Sequence, residues 1–497
     1  MANTCIVCGT AAGSGEHVFP AALGGRRTNK NIYCTKHDNG YSSLVGNLAN
    51  QMAFFNALLG VVPDHSNDVK SVLVRDSHTD AELKLSVKQS LFTAPQMISR
   101  QQAGNGELMS MSFSSHEEMK QWVAEKKVEG FDVEPLQKAE TRTYFLDAIH
   151  HKLQFGGRCG LGAVAYLTQT FLAQEFPELA RTDNLAQFIA YTQAIAAVAN
   201  LQGGCGEPTD NQSDPRLASA LQALDAALAP WGGQAPVWWD FDPQPDPTPN
   251  TFEFGHRVTV GVDAMDGQIF GRLSLFSSIH FGMHFGIASP GVVTKTVTVD
   301  IDPMAAHPPH DMKKIESASA IARVIPPSRP TAGLATAVSE RTQEAVFHDL
   351  MARITAHSLA KSAASMHSEL ATYSSLSSSE GVKLIARVID GEAQRVLNMT
   401  KWVLQGFKQS LPSEWLPALE PIIDSMTAHE PTSINGLSPK ASAVLELAKC
   451  ALVDKMLEDI EAGRLDERRI AELMGEGPGA AVVGEMVLKP IILACTR

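Results

Sequence analysis

Apolar residues recur at near-helical spacing between positions 39 and 60, at Leu44, Leu48, Met52, Phe55 and Leu59. A helix gathers such positions on one face, so this segment is predicted to be a helix packed on a core. Asp38 or Asn39 stands ahead of the stripe and is suited to cap it, and Pro63-Asp64 breaks it. The period then shortens. Val69, Val72 and Val74, followed by Leu83, Leu85 and Val87, alternate weakly and predict short strands between 68 and 100. Helices are predicted over 115–127, 140–154, 160–174 and 184–201. The first has Ser115 as N-cap and Glu117-Glu118 in its first turn, where carboxylates suit the helix dipole.

Residues 203–250 interrupt this pattern. Gly203-Gly204 opens the stretch, and Pro243, Pro245, Pro247 and Pro249 close it as an extended, semi-rigid linker. A short helix is expected between Pro215 and Pro230, with Trp231, Trp238 and Trp239 as packing anchors. Alternation returns at 256–262. Asp266-Gly267 then signals a hairpin, and 269–276, 279–287 and 294–301 complete an expected antiparallel meander of four strands. From 311 to 497 Ala, Leu, Glu and Lys dominate and the region reads as mostly helical. The expected fold class is therefore α+β and multidomain: an N-terminal module over 1–62, a mixed helix and strand region over 63–202, the 203–250 linker, the meander over 251–310 and the helical region over 311–497.

A chain of 497 residues is too long for one core, in keeping with several domains. Its formal net charge of −13 opposes attraction of the whole surface to nucleic acid, so any such contact must be local. No run of about 18 apolar residues occurs, and the N-terminus lacks a basic segment followed by an apolar one, so neither a membrane span nor a secretory leader is expected. Seven cysteines, an odd number over a long chain, favour a reducing, cytoplasmic setting in which paired cysteines bind metal.

The densest chemistry lies in the first forty residues. Cys5 and Cys8 make one pair at C-x2-C spacing, and Cys34 and His37 make a second at C-x2-H spacing. Two short-spaced pairs separated by a longer gap can close a tetrahedral zinc site, and zinc would contribute much of the stability of so small a module. Such a closed site has no open position for catalysis. Between the pairs stand Glu16-His17-Val18-Phe19-Pro20, Leu23-Gly24-Gly25 and Asn31. A neutral His17 imidazole can take a proton from water. Glu16, Asp38 and Asn39 offer hard oxygen ligands suited to Mg2+ or Mn2+, and Arg26, Arg27 and Lys30 form a basic tract that could contact phosphates. His280 and His284 read as core histidines, and His307 and His310 as surface residues.

This string resembles the HNH endonuclease family. That family combines Cys-x2-Cys, Asp/Glu-His-Ile/Val-x-Pro, a Leu-Gly-Gly loop, an asparagine and a second Cys-x2-Cys followed by Asn. The match falls on Cys5, Cys8, Glu16, His17, Pro20, Leu23, Gly24, Gly25, Asn31, Cys34 and Asn39, all within residues 1–62 of the 497. The resemblance implies a ββα-metal fold and metal-dependent hydrolysis of DNA phosphodiester bonds. It casts His17 as the general base and Asn31 as the residue that orients it, with Asn29 the alternative in register. Glu16 and Asp38 or Asn39 would hold the catalytic Mg2+ or Mn2+, and Cys5, Cys8, Cys34 and His37 the structural zinc. His37 stands where the family usually has a fourth cysteine, and Asp38 where it has Asn or His. The remaining residues would regulate, target or oligomerise the nuclease, as in host-defence or mobile-element proteins, with the C-terminal helical region joining copies of the chain. The rival expectation is a non-catalytic zinc module that binds nucleic acid or protein.

Overall fold

A two-residue ladder opens the chain in the computed structural model, which describes residues 3–495 apart from 77–80, 88–89, 104–105, 134–143, 145–148, 152–154, 203–213, 242–247, 293, 306–310, 318–333, 411–412, 415, 428–436 and 476. β1 (Glu16–His17) pairs antiparallel with β2 (Thr28–Asn29), setting Glu16 opposite Asn29 and His17 opposite Thr28. The loop between them explains its two glycines. Gly24 is left-handed at φ 84°, and a Cβ there would strike the Pro303 backbone. A Cβ on Gly25 would run into the Phe19 carbonyl. Only residues without a side chain fit between these groups.

α1 (Thr35–Gly40) and α2 (Ser42–Leu59) follow. The single helix expected from 39 is thus two, and Asp38 and Asn39 lie inside the first of them. No side chain caps either N-terminus. Tyr41 marks the break because its ring is buried: it stacks on Tyr166 at 4.1 Å between centroids, and its hydroxyl lies 3.4 Å from that of Thr192. The predicted stripe of Leu44, Leu48, Met52, Phe55 and Leu59 is buried in full.

That stripe faces a helix pair, Gly157–Glu175 and Ala186–Leu201. Gly162 lets the pair close up, since a Cβ there would meet the Ile195 side chain at 2.7 Å. The first helix also lies on a six-stranded antiparallel sheet. Strands His256–Val262, Gln268–Leu275 and Ile279–Ile287 run as a meander, as expected. Thr296–Ile301 does not continue it; it returns beside His256–Val262 on the other side. The four therefore lie in the Greek-key order 4-1-2-3. Met312–Ser317 extends one edge, and Val237–Asp240, placed in the linker by its composition, forms the other. Every residue of His256–Val262 is buried. Arg257 and Asp300 pair there, with Nε donating to Oδ1 at 2.6 Å and Nη2 to Oδ2 at 2.9 Å, and the Arg257 guanidinium holds the Asp300 carboxyl below its ordinary range against the effect of burial.

By contacts the chain divides into two compact units. One comprises Met1–Val72, Leu85–Gln89 and Lys152–Ala352, the other Leu73–Lys84, Ser90–His151 and Arg353–Arg497. The N-terminal segment thus shares a unit with the helix pair and the sheet. In the second unit, Gln96–Ala103 and Gly106–Ser112 form a hairpin. His116–Val128 is the expected helix, capped by the Ser115 hydroxyl, which accepts from the Glu118 N–H at 3.1 Å. The helix expected over 140–154 falls mostly outside the described residues, and Ile149–His150 within it is a strand paired with Arg75 and Asp76. The region expected to be helical from 311 begins instead with the strand Met312–Ser317; its described helices start at Leu334, with one apolar core shared by Ser378–Gly391, Ala393–Ser410, Pro439–Glu461 and Pro478–Cys495. Cys159 is disulfide-bonded, which the cysteine count did not lead one to expect. No helix among the described residues is long and apolar enough to cross a membrane.

Candidate metal centres and the His17 site

Both knuckles of the expected zinc site come together. Cys34 Sγ lies 3.3 Å from His37 Nδ1 and 3.9 Å from Cys8 Sγ, and Cys5 Sγ lies 3.6 Å from His37 Nδ1. Bond lengths of about 2.3 Å to sulfur and 2.0 Å to nitrogen at tetrahedral angles give ligand separations of roughly 3.5–3.8 Å. The four ligand atoms fall close to these values, so the cluster can hold a zinc ion. The first turn of α1 supplies Cys34 and His37 on one face. The Thr10 hydroxyl beside Cys8 draws its thiol down to about 7, while burial pushes Cys5 up. Burial also lowers His37, which keeps its ring neutral and able to donate a lone pair. Arg181 braces both knuckles from the 3-10 turn Leu179–Arg181, where Nη2 donates to the carbonyls of Thr4 at 2.8 Å and of Asn31 at 2.6 Å.

Glu16 and His17 are neighbours on a strand, so their side chains leave on opposite faces. Glu16 turns inward. It meets Asp38 and Tyr166, and burial together with the Asp38 carboxylate pushes its carboxyl up to about 9. The Ser14 hydroxyl donates to Asp38 on the same side. Glu16 therefore keeps its proton at neutral pH. Asn39 is exposed, and its carbonyl accepts from the Ser42 hydroxyl at 2.9 Å.

His17 joins a different set. Its Nε2 lies 3.2 Å from Asp64 Oδ2, and its ring meets His65 edge-on at 5.0 Å between centroids. His17, Asp64 and His65 together make the second group among the described residues whose ligand atoms could hold a metal. Arg26 supports it, with Nη1 donating to Asp64 Oδ1 at 3.4 Å and Nη2 to the carbonyls of Val62 and Ala305 at 2.8 and 3.1 Å. The hydrogen bond from His17, aided by Arg26, holds the Asp64 carboxyl below its ordinary range.

Other expected residues are placed differently. Asn31 is exposed beyond the end of β2, so Asn29 is the asparagine opposite β1. Asn29 accepts the Asn31 N–H at 2.8 Å and donates to Gln174. Arg26 is buried, with 6% of its side chain exposed, and Arg27 grips both oxygens of the buried Asp311 at 3.0 and 3.3 Å. Two of the three expected phosphate contacts are therefore engaged within the protein, while Lys30 is exposed. Asp64 and His65, two site residues not expected from the sequence, follow directly on Pro63. Two metal-ligand types directly after that proline were the available signal. Comparison with protein-family models, with curated proteins and with solved structures finds no match to this chain.

Proposed function

We propose that the chain is a metal-dependent phosphodiester hydrolase of the HNH type, acting on DNA. The observation that carries this reading is His17. It stands on the first strand of a strand–strand–helix segment, beside a cluster able to hold zinc, with its ring oriented by the ionised Asp64. A histidine held by a carboxylate at the edge of a structural zinc module suits water activation. The resemblance over residues 1–62 supplies the substrate class and, with it, a divalent ion for the developing negative charge. His17 is half-buried, and its loss is expected to change chemistry and leave the fold intact.

Nicking of supercoiled plasmid by the full, zinc-loaded chain tests this. The wild-type protein is expected to nick in the presence of Mn2+ or Mg2+, and His17→Ala to be slower by about a thousandfold, within the range usual for loss of a positioned acid–base group. Equal cleavage by both proteins sinks the reading. Absence of cleavage by either, with zinc bound, returns the chain to the rival class of non-catalytic zinc modules.

A further inference from the structure

We propose that His17, Asp64 and His65 form a second metal centre, built for a divalent first-row transition ion and separate from the cysteine cluster. The resemblance would seat the second ion on Glu16 with Asp38 or Asn39. Glu16 and Asp38 face each other with Ser14 donating to Asp38, Asn39 stands exposed, and among the described residues no further His, Cys, Asp or Glu joins them in a group. The ligand atoms of His17, Asp64 and His65 instead all lie within 4.8 Å of one another. Asp64 Oδ2 is the shared vertex, 3.2 Å from His17 Nε2 and 3.9 Å from His65 Nδ1.

The local chain shows why these atoms converge. Ser66 N–H donates to the Pro63 carbonyl at 3.0 Å, closing a four-residue turn with Asp64 and His65 at its two central positions. Both side chains thus leave one tight turn. The Asp64 N–H donates to the Ala21 carbonyl at 3.4 Å, which fastens the turn to the loop that leaves β1. Arg26 occupies Asp64 Oδ1, so Oδ2 is the oxygen left for a metal, and an outer partner of this kind fixes a ligand's direction. The centre opens to solvent on one side, where the His65 side chain is 76% exposed.

The donor set decides the ion. Two imidazoles and one carboxylate suit Mn2+, Fe2+, Co2+, Ni2+ or Zn2+, and three protein ligands leave positions for water and a phosphate oxygen. Mg2+ prefers oxygen ligands and is the poorer match. That an ion seated here serves phosphodiester hydrolysis rests on the function proposed above, whereas its binding rests on the three side chains alone. When bound, the ion would lower the pKa of a coordinated water, so that His17 would activate that water through the ion it holds, in place of taking the proton itself.

Titration of the zinc-loaded full chain with Mn2+, followed by electron paramagnetic resonance, tests the centre. Mn2+ stands lowest in the divalent affinity series, so it leaves zinc on thiolates undisturbed. One Mn2+ per chain is expected to bind, with His65→Ala weakening it at least tenfold and Glu16→Gln leaving it unchanged. His65 is exposed, so its replacement does not endanger the fold. Wild-type protein that binds no Mn2+ overturns the proposal, as does binding that survives His65→Ala and is lost in Glu16→Gln. Mn2+ bound as expected without DNA cleavage leaves the metal centre standing and removes the nuclease reading. Cleavage with no dependence on His65 leaves the nuclease reading standing and shows that an ion at this centre does not serve it.

Discussion

Stripping zinc from the full chain is expected to unfold the segment from Cys5 through α1, and Cys34→Ser is expected to do the same at neutral pH. The segment has little regular structure of its own. β1 and β2 are two residues each, and a single bridge joins Thr4 to Ala11. Structural zinc binds with about 10–16 kcal/mol in small domains, comparable to the net stability of a whole domain at about 5–15 kcal/mol. Amides that depend on the cluster should lose protection from hydrogen exchange, notably Ile6, bonded to the Ile32 carbonyl, and His37, bonded to that of Cys34. Val260, inside the sheet, should keep its protection longer. The thermal midpoint should fall by about 10 °C or more. Chelation that removes zinc but leaves Ile6 and His37 protected would show that the four residues do not fasten the fold.

His256 should cost the first unit stability as the pH falls below about 6.5. This ring is fully buried. It stacks on Phe19 at 4.9 Å and meets Phe276 at 4.7 Å between centroids. Its Nδ1 accepts the Phe276 N–H at 3.2 Å and so holds a turn in which Phe276 and Ser277 are both left-handed, at φ 52° and 53°. Burial pulls its pKa down to about 3. The unfolded chain takes up its proton near pH 6.5, so between pH 6.5 and 3 the unfolded state binds one more proton than the folded state. Stability is then fully present above pH 6.5 and declines as pH falls through that window. At about 1.4 kcal/mol per pH unit, the loss reaches on the order of 5 kcal/mol. Urea unfolding at a series of pH values checks this. His256→Gln keeps an acceptor and removes the titration, so its stability should change much less between pH 6.5 and 4. Parallel pH profiles for the two proteins would refute the assignment.

What the sequence disclosed was local. The stripe from Leu44 to Leu59 could be read because helical spacing repeats within a few turns, and all five residues are buried. Cys5, Cys8, Cys34 and His37 could be read because short spacing within each pair constrains ligand geometry, whatever the intervening loop does. The Asp266-Gly267 hairpin was equally local, and Gly267 has the positive φ of 70° that such a turn needs. What stayed hidden depends on distant pairings. His17 meets Asp64 across 47 positions, and no periodicity links them. The basic tract looked like a phosphate contact because charge is visible in a sequence and partners are not; Asp64 and Asp311 are those partners. The return of Thr296–Ile301 beside His256–Val262 was invisible for the same reason, since alternation marks a strand without naming its neighbour. The direction in which Glu16 turns was hidden too, because it depends on the placement of Tyr166 and Asp38.

The ion pair between Arg27 and Asp311 has a consequence for how the protein is made. Its two residues are 284 positions apart. At roughly 5–20 residues per second, the ribosome delivers Asp311 some 15 to 60 seconds after Arg27. At the start of that interval the nascent N-terminal segment carries every cysteine and histidine of its zinc cluster but lacks the helices that will cover Tyr33 and Tyr41 and, until its end, the segment that meets Arg26 and Arg27. Metal capture can therefore precede docking during synthesis, and the loaded segment must wait, its aromatic side uncovered, for the rest of its own unit to emerge.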